Sequence, residues 1–296
     1  MARGADVSAV ATPAQLATLR DGDPTERIAL LRLLRAGEPA AYARWLADLD
    51  AAVRAAGGRR SYRGRVDAVL TEEPLAYDEL VVDEFPSREL AAESLRLPSP
   101  HLASGLRSAF VLAARLRRLP GLALRAAGLW LRVRHGGRAR QPGALPPDSG
   151  IRAIDPPPAE LAAFLAKEPE RPLSVLNLNQ HRDPAAYARY GRNTLPQLLR
   201  RGAGPVLAAD ALPAVVGADA DPLQQPWSEA LLVRYPSRAA MLDMLRDPEY
   251  QRGLGHRERG LARACLIATC PLLGAPGHSS SGPARSLGGG PAGESE

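Results

Sequence analysis

Apolar residues of this 296-residue chain gather in short runs that follow one another in the same order twice. "IALLRLLR" (28 to 35) and "LSVLNLN" (173 to 179) are strand-length and largely apolar. An acidic residue and a proline follow each of them, Glu38-Pro39 and Asp183-Pro184, and then an alanine-rich stretch runs to a glycine. Proline suits the first helical turn and glycine the exit, so each pair predicts a strand followed by a helix. "RSYRGRVDAVL" and "PVLAADALPAVV" predict a second strand, and "YDELVVDEF" and "WSEALLVRY" a third, with a turn between them. Ser87 and Ser237 precede helical runs and are predicted N-caps. "RACLIAT" (263 to 269) closes the second run as a fourth strand, whereas the first run has no clear counterpart.

The two runs are copies. At a constant shift of 145, "TPAQLATLRDGDP" overlies "PPAELAAFLAKEP" and "EPAAYARW" overlies "DPAAYARY". Past Gly57 and Gly202 the shift becomes 150, which predicts a five-residue insertion in the loop "ADADPLQQP". Tyr77 then pairs with Trp227, Glu79 with Glu229, Phe85 with Tyr235, and Leu106-Arg107 with His256-Arg257. The order β-α-β-β-α-β is the split βαβ, ferredoxin-like arrangement. The fold class is therefore α+β, two tandem ferredoxin-like units. The first spans 12–113 with a degenerate fourth strand and the second 157–273. A basic helical segment with a Pro/Gly linker (114–156) joins them, and 274–296 reads as a disordered tail.

A four-stranded antiparallel sheet with helices on one face leaves its other face bare, and a large apolar patch is rarely left in water. Two copies in one chain can cover each other at high effective concentration. That predicts an intramolecular barrel.

"YPSR", "DPEYQ" and "HR" in 171–269 resemble the domain-of-unknown-function 1330 family of the dimeric α/β-barrel superfamily. The first copy keeps "FPSR" but has "SPHLASGLR" where the second has "DPEYQRGLGHR". The resemblance implies units whose sheet faces pair into a barrel. It also implies a superfamily that includes cofactor-independent monooxygenases, small-lactone isomerases and haem-degrading enzymes.

Charge and cysteine narrow the function classes. The net charge of +6 arises from ten arginines and no acidic residue between Ser94 and Pro147, so the remainder is mildly acidic and general nucleic-acid binding is not expected. Cys265 and Cys270 form no disulfide framework or zinc motif. No signal peptide or spanning helix is readable, and a cytoplasmic location is expected.

Differences between the copies point to candidate site residues. Val175, Asn177 and Asn179 share one strand face, which His181 extends, where the first copy has Leu30, Arg32, Leu34 and Ala36. Trp227, Glu229, Leu231, Val233 and Tyr235 share another. The functional reading places Glu229 and His256 as a catalytic pair at the barrel mouth of the second unit, with Asn177, Asn179, His181, Trp227, Tyr235 and Arg257 binding ligand. A carboxylate in apolar company would have a raised pKa, and a nearby histidine could move protons. Each has a bland alternative: Glu229 at a solvated strand end, His181 in a polar loop, His256 on a backbone carbonyl, Arg257 and the shared Tyr42 and Tyr187 as packing residues. No metal site and no cofactor are expected.

In the joining segment Arg115, Arg118, Arg125 and Arg132 would stripe an apolar helix that Pro120-Gly121 kinks or breaks. It is expected either to pack on the first sheet in place of the missing strand, or to make a peripheral membrane or protein contact through 110–135. Two functions follow: binding or transforming a small apolar molecule in the second unit, or a non-catalytic scaffold or peripheral membrane-associated module.

Overall fold

The computed structural model describes residues 11–71, 75–96, 99–135, 143–217 and 223–272. The expected disordered tail and part of the expected linker lie outside the described residues. Eight strands close one antiparallel barrel in the order β1-β3-β2-β8-β5-β7-β6-β4. The first half supplies β1 (Ile28–Ala36), β2 (Arg59–Val69), β3 (Glu79–Phe85) and β4 (Leu106–Leu116). β5 (Leu173–His181), β6 (Gly204–Val216), β7 (Glu229–Tyr235) and β8 (Leu261–Pro271) come from the second. Within each half the spatial order is fourth, first, third, second strand. The halves meet at two seams, β2 with β8 and β4 with β6. Across the first seam the Tyr62 hydroxyl lies 2.6 Å from Thr269 Oγ1.

β1 is apolar apart from Arg32 and Arg35 because both of its faces are covered. Ala29, Leu31 and Leu33 point into the barrel, where they join Leu80, Val82, Phe110 and Leu112 of their own half and Leu176, Leu178, Leu232 and Ile267 of the other. Eight strands leave an interior that side chains can fill, and here they fill it. Ile28, Leu30 and Leu34 point outward beneath helices.

Those helices are α1 (Pro13–Arg20), α2 (Pro39–Ala55), α3 (Arg88–Ser94) and α4 (Leu102–Gly105) over the first half. α6 (Pro158–Ala166), α7 (Pro184–Arg200), α8 (Arg238–Leu245), α9 (Pro248–Gln251) and α10 (Leu254–Gly260) cover the second. Glu38 and Asp183 each accept two backbone amides at the start of α2 and α7. Ser87 and Ser237 cap α3 and α8 through their hydroxyls. The arginine after each serine is buried and ties down the first helix of its half, α1 or α6, Arg88 donating to the Leu19 carbonyl and Arg238 to that of Phe164, both at 3.2 Å. The repeated "PSR" is thus a cap followed by a tether.

Two expectations are corrected. The first half has a complete fourth strand, β4, whose central residues are buried and which runs to Leu116. Arg115 therefore sits on a strand, paired with Glu26 and Asp210, rather than on a helical stripe. The joining helix α5 (Gly121–His135) begins after Pro120 and packs on α7 of the second half, with Gly128 against the Leu199 carbonyl. It replaces no strand.

The second correction concerns register. Ala36 lies opposite Leu106 and His181 opposite Leu261, so equivalent positions of the two halves are 155 apart at the fourth strand. A further five-residue insertion lies in the α9–α10 region of the second half. Gly105 and Gly260, which end α4 and α10, are the true counterparts, and so are His101 and His256. The match of Arg107 with Arg257 fails: Arg107 is exposed on β4, whereas Arg257 is buried on α10.

Candidate functional site

Period two assigns Asn177, Asn179, Glu229 and Tyr235 to shared strand faces but leaves open which face is which. Leu176, Leu178, Ala230 and Leu232 point into the barrel, so the polar positions face the helices instead of the barrel mouth. Asn179 and Glu229 lie directly opposite in the β5–β7 ladder. Asn179 Nδ2 donates to Glu229 Oε2 (3.0 Å) and to the Tyr187 hydroxyl on α7 (2.8 Å). Arg117, just past β4 in the other half, donates Nη1 to Glu229 Oε1 at 2.6 Å. His181 brings Nε2 to 3.8 Å from Oε2, and its ring lies 4.7 Å from that of Tyr187.

This cluster joins three of the expected site residues, Glu229, Asn179 and His181, and sets their chemistry. Burial alone would raise the Glu229 pKa, but His181, Asn179 and Arg117 outweigh it and hold the carboxyl below its ordinary value. The expected raised pKa is overturned. Burial next to that charge pushes the Tyr187 hydroxyl well above its usual range. An ionised carboxylate with its oxygens engaged is a brace between the halves.

The other expected residues sit elsewhere. Trp227 points into the barrel end, its indole donating to the Leu223 carbonyl at 2.9 Å. Tyr235 is core beneath the helices. Asn177 spends its amide on the strand carbonyls of Val175 and Leu231. His256 Nδ1 meets Arg259 at 2.7 Å. Arg257 fastens the joining segment through Asp155 (2.8 Å) and the Ile154 carbonyl (2.9 Å). The proposed pairing of Glu229 with His256 has no hydrogen bond or ion pair among the described residues.

Two spaces of ligand size lie away from that cluster, one of about 330 Å³ between the end of β2 and the joining segment, lined by Thr71, Arg152, Asp155 and Glu160 among others, and one in the first half. A cavity of about 210 Å³ separates the outer face of β1 and β4 from α2 and α3, and is lined by Arg32, Leu34, Trp45, Leu49, Leu95 and Leu106 among others. Asp48, Arg96 and Ser99 also line it, and all three are polar; Asp48 and Arg96 are exposed. The matching space in the second half is occupied. There Tyr190 stands at the place of Trp45, packs 5.7 Å from Tyr187 and 6.4 Å from Tyr250, and lies under the Arg257 guanidinium. A space of about 60 Å³ remains between the joining segment and α8–α10, near Leu161, Leu245 and Leu254.

Arg32 and its ion-pair partner Asp83 were missed as site residues, although a lone arginine in "LLRLL" and an acid pair ending "LVVDEF" are visible signals. Among the described residues, no group of three or more His, Cys, Asp or Glu is placed to hold a metal ion. No helix among them is long and apolar enough to cross a membrane.

The closed barrel of two split βαβ halves with helices outside is the ferredoxin-like dimeric α/β-barrel fold. Residues 173–270 match the family described as domain of unknown function DUF1330. A protein of unknown function from Rhodopseudomonas palustris is 31% identical, with 40% of this chain and 96% of that one covered and a TM-score of 0.37. A putative monooxygenase from Lactobacillus acidophilus is 10% identical over 83% of this chain and 94% of that one, TM-score 0.42. A mutant chlorite dismutase from Candidatus Nitrospira defluvii is 9% identical over 84% and 93%, TM-score 0.43. No curated protein matches the chain.

Proposed function

We propose that this chain is a tandem small-molecule-binding protein in which the first half holds the ligand and the second half braces the barrel. The observation that supports the reading is the 210 Å³ cavity under α2, with apolar walls and a few polar groups, where the second half carries a tyrosine cluster. Ligand sites are concave and mostly apolar with a small number of placed polar groups. This reading assigns the ligand to the first unit, where the sequence alone had pointed to the second. The reading is of binding, and no reaction is part of it.

A thermal-shift screen of small aromatic compounds against the full chain tests it, paired with Ala109→Met, which fills the cavity from β4. Stabilising compounds whose effect disappears in the variant support the proposal. A set of compounds that stabilises both proteins equally refutes it.

A second reading rests on a separate observation. Leu122, Leu129, Trp130 and Val133 of α5 are between 56% and 84% exposed, while Leu124, Gly128 and Leu131 on its other side turn inward. Arg125 and Arg132 flank that apolar stripe on one side, and Arg134, lying 5.2 Å from the Trp130 ring, on the other. Apolar residues flanked by arginines suit an anionic lipid surface. Flotation of the chain with phosphatidylserine vesicles, lost in Leu129→Glu/Val133→Glu, supports that reading; absence of flotation removes it.

A further inference from the structure

Arg32 carries a charge that its surroundings leave incompletely answered. It sits mid-strand on β1, between Leu30 and Leu34 on the face beneath the helices, and is 3% exposed. A buried guanidinium is tolerated only when paired and hydrogen-bonded. Its partner is Asp83 on β3, itself wholly buried, which receives Arg32 Nη1. The other Asp83 oxygen takes Arg60 Nε at 3.0 Å, so one buried carboxylate serves two guanidiniums. Asp50, which Arg60 also meets, lies further out with 39% of its side chain exposed. Arg32 Nη2 is buried without a partner. Burial holds the Arg32 pKa below its ordinary value, and Arg60 adds to that effect against the pull of Asp83.

The same arginine lines the 210 Å³ cavity. We propose that this cavity binds a small carboxylate joined to an apolar body, an arylcarboxylate in its simplest form, with the carboxylate received by Arg32 and the body held against Leu34, Trp45 and Leu49. The inference rests on the reading of the cavity as the ligand site and adds the class of ligand. An anion supplies the acceptor that Nη2 lacks. Size agrees: a cavity of about 150 Å³ holds a benzene ring, which leaves room here for a carboxyl group. Asp48 and Arg96 are exposed and of opposite sign, and Arg32 is the buried charge on the lining. The device is private to the first half, since the counterpart of Arg32 is Asn177, turned onto strand carbonyls, and that of Asp83 is Val233.

The test titrates the full chain with benzoate and with benzyl alcohol, its neutral near-isostere, reading calorimetry and tryptophan fluorescence. The proposal expects benzoate to bind more tightly by about tenfold or more, the worth of one charge-assisted hydrogen bond. It expects Arg32→Met to abolish that preference and Ala109→Met to abolish binding of both. Because Arg32→Met leaves Asp83 with one partner fewer, its folding is checked by circular dichroism; if it does not fold, the benzoate to benzyl alcohol ratio in the unaltered chain decides. Equal affinities, both lost in Ala109→Met, overturn the anion assignment and keep the cavity as a ligand site. Binding of neither compound, or binding indifferent to Ala109→Met, overturns both.

Discussion

Arg117, one residue beyond β4 in the first half, donates to Glu229, the first residue of β7 in the second, at 2.6 Å. The contact bridges the β4–β6 seam: Arg117 also binds Asp210 on β6, which lies opposite Glu229 in the β6–β7 ladder. The acid is buried and the arginine 41% exposed. Removing the half-exposed partner in Arg117→Ala is expected to cost about 1 kcal/mol, in the range of exposed ion pairs. Removing the buried acid in Glu229→Ala takes one of two acceptors from Asn179 and the shared carboxylate from Arg117 and His181, and is expected to cost about 3 kcal/mol. Urea unfolding of the two variants checks the ranking.

Glu229 also gives the fold a pH signature. Its carboxyl is held below its ordinary value in the folded chain. A carboxyl of that kind stabilises the fold at pH above its unfolded-state value, about 4.3, and the contribution is lost as pH falls through the folded value. The stability gap between the natural chain and Glu229→Gln is therefore expected to be widest near neutral pH and to shrink below pH of about 4. Urea midpoints measured across that range check it; a gap that widens in acid would contradict the assignment.

Gly260 ends α10 where a Cβ would come within 2.7 Å of the Tyr187 backbone nitrogen. No flexible side chain is there to yield, so Gly260→Ala forces α10 away from α7 and is expected to destabilise by about 1–3 kcal/mol. Gly105, its counterpart, faces the Ala41 carbonyl at 3.0 Å and should tolerate alanine better. Thermal unfolding of both variants compares them directly.

Cys265 lies inside the barrel and Cys270 is 6% exposed, its thiol pushed above the ordinary value by burial and by Asp67. Thiolates are the reactive form, so both cysteines are expected to resist a disulfide reagent in the folded chain and to react fully in denaturant. Rapid labelling of either under native conditions contradicts the burial described.

Much of this architecture was legible because the same order of apolar runs, prolines and serines recurs in both halves. Pro39 and Pro184 start α2 and α7, and Ser87 and Ser237 cap α3 and α8, as their neighbours in the sequence indicate. The fourth strand of the first half was obscured by a second insertion: aligned at 150, "LRSAFVLAARL" straddles the end of α10 and the start of β8, whereas at 155 it falls wholly on β8. The site was misjudged for a different reason. Alternation shows that Asn177 and Asn179 share a face, but in a strand covered on both sides polarity does not say which face meets the barrel. Tyr190 and Trp45 differ little as letters, yet one half is filled by tyrosines at that level and the other is hollow. Only the packing of α9 and α10 distinguishes them.

The central claim is that two halves of one chain close a single barrel whose interior belongs to both. Edge strands exchange their amide hydrogens through local fraying, while strands paired on both sides exchange through global opening. Hydrogen exchange followed by mass spectrometry measures this for peptides over Gly64–Val69, which pair with β8, and Leu112–Leu116, which pair with β6. The account predicts protection equal to that of β1 in both segments. Fast exchange at these seams with β1 and β5 still protected would mean two open sheets side by side, and would contradict it.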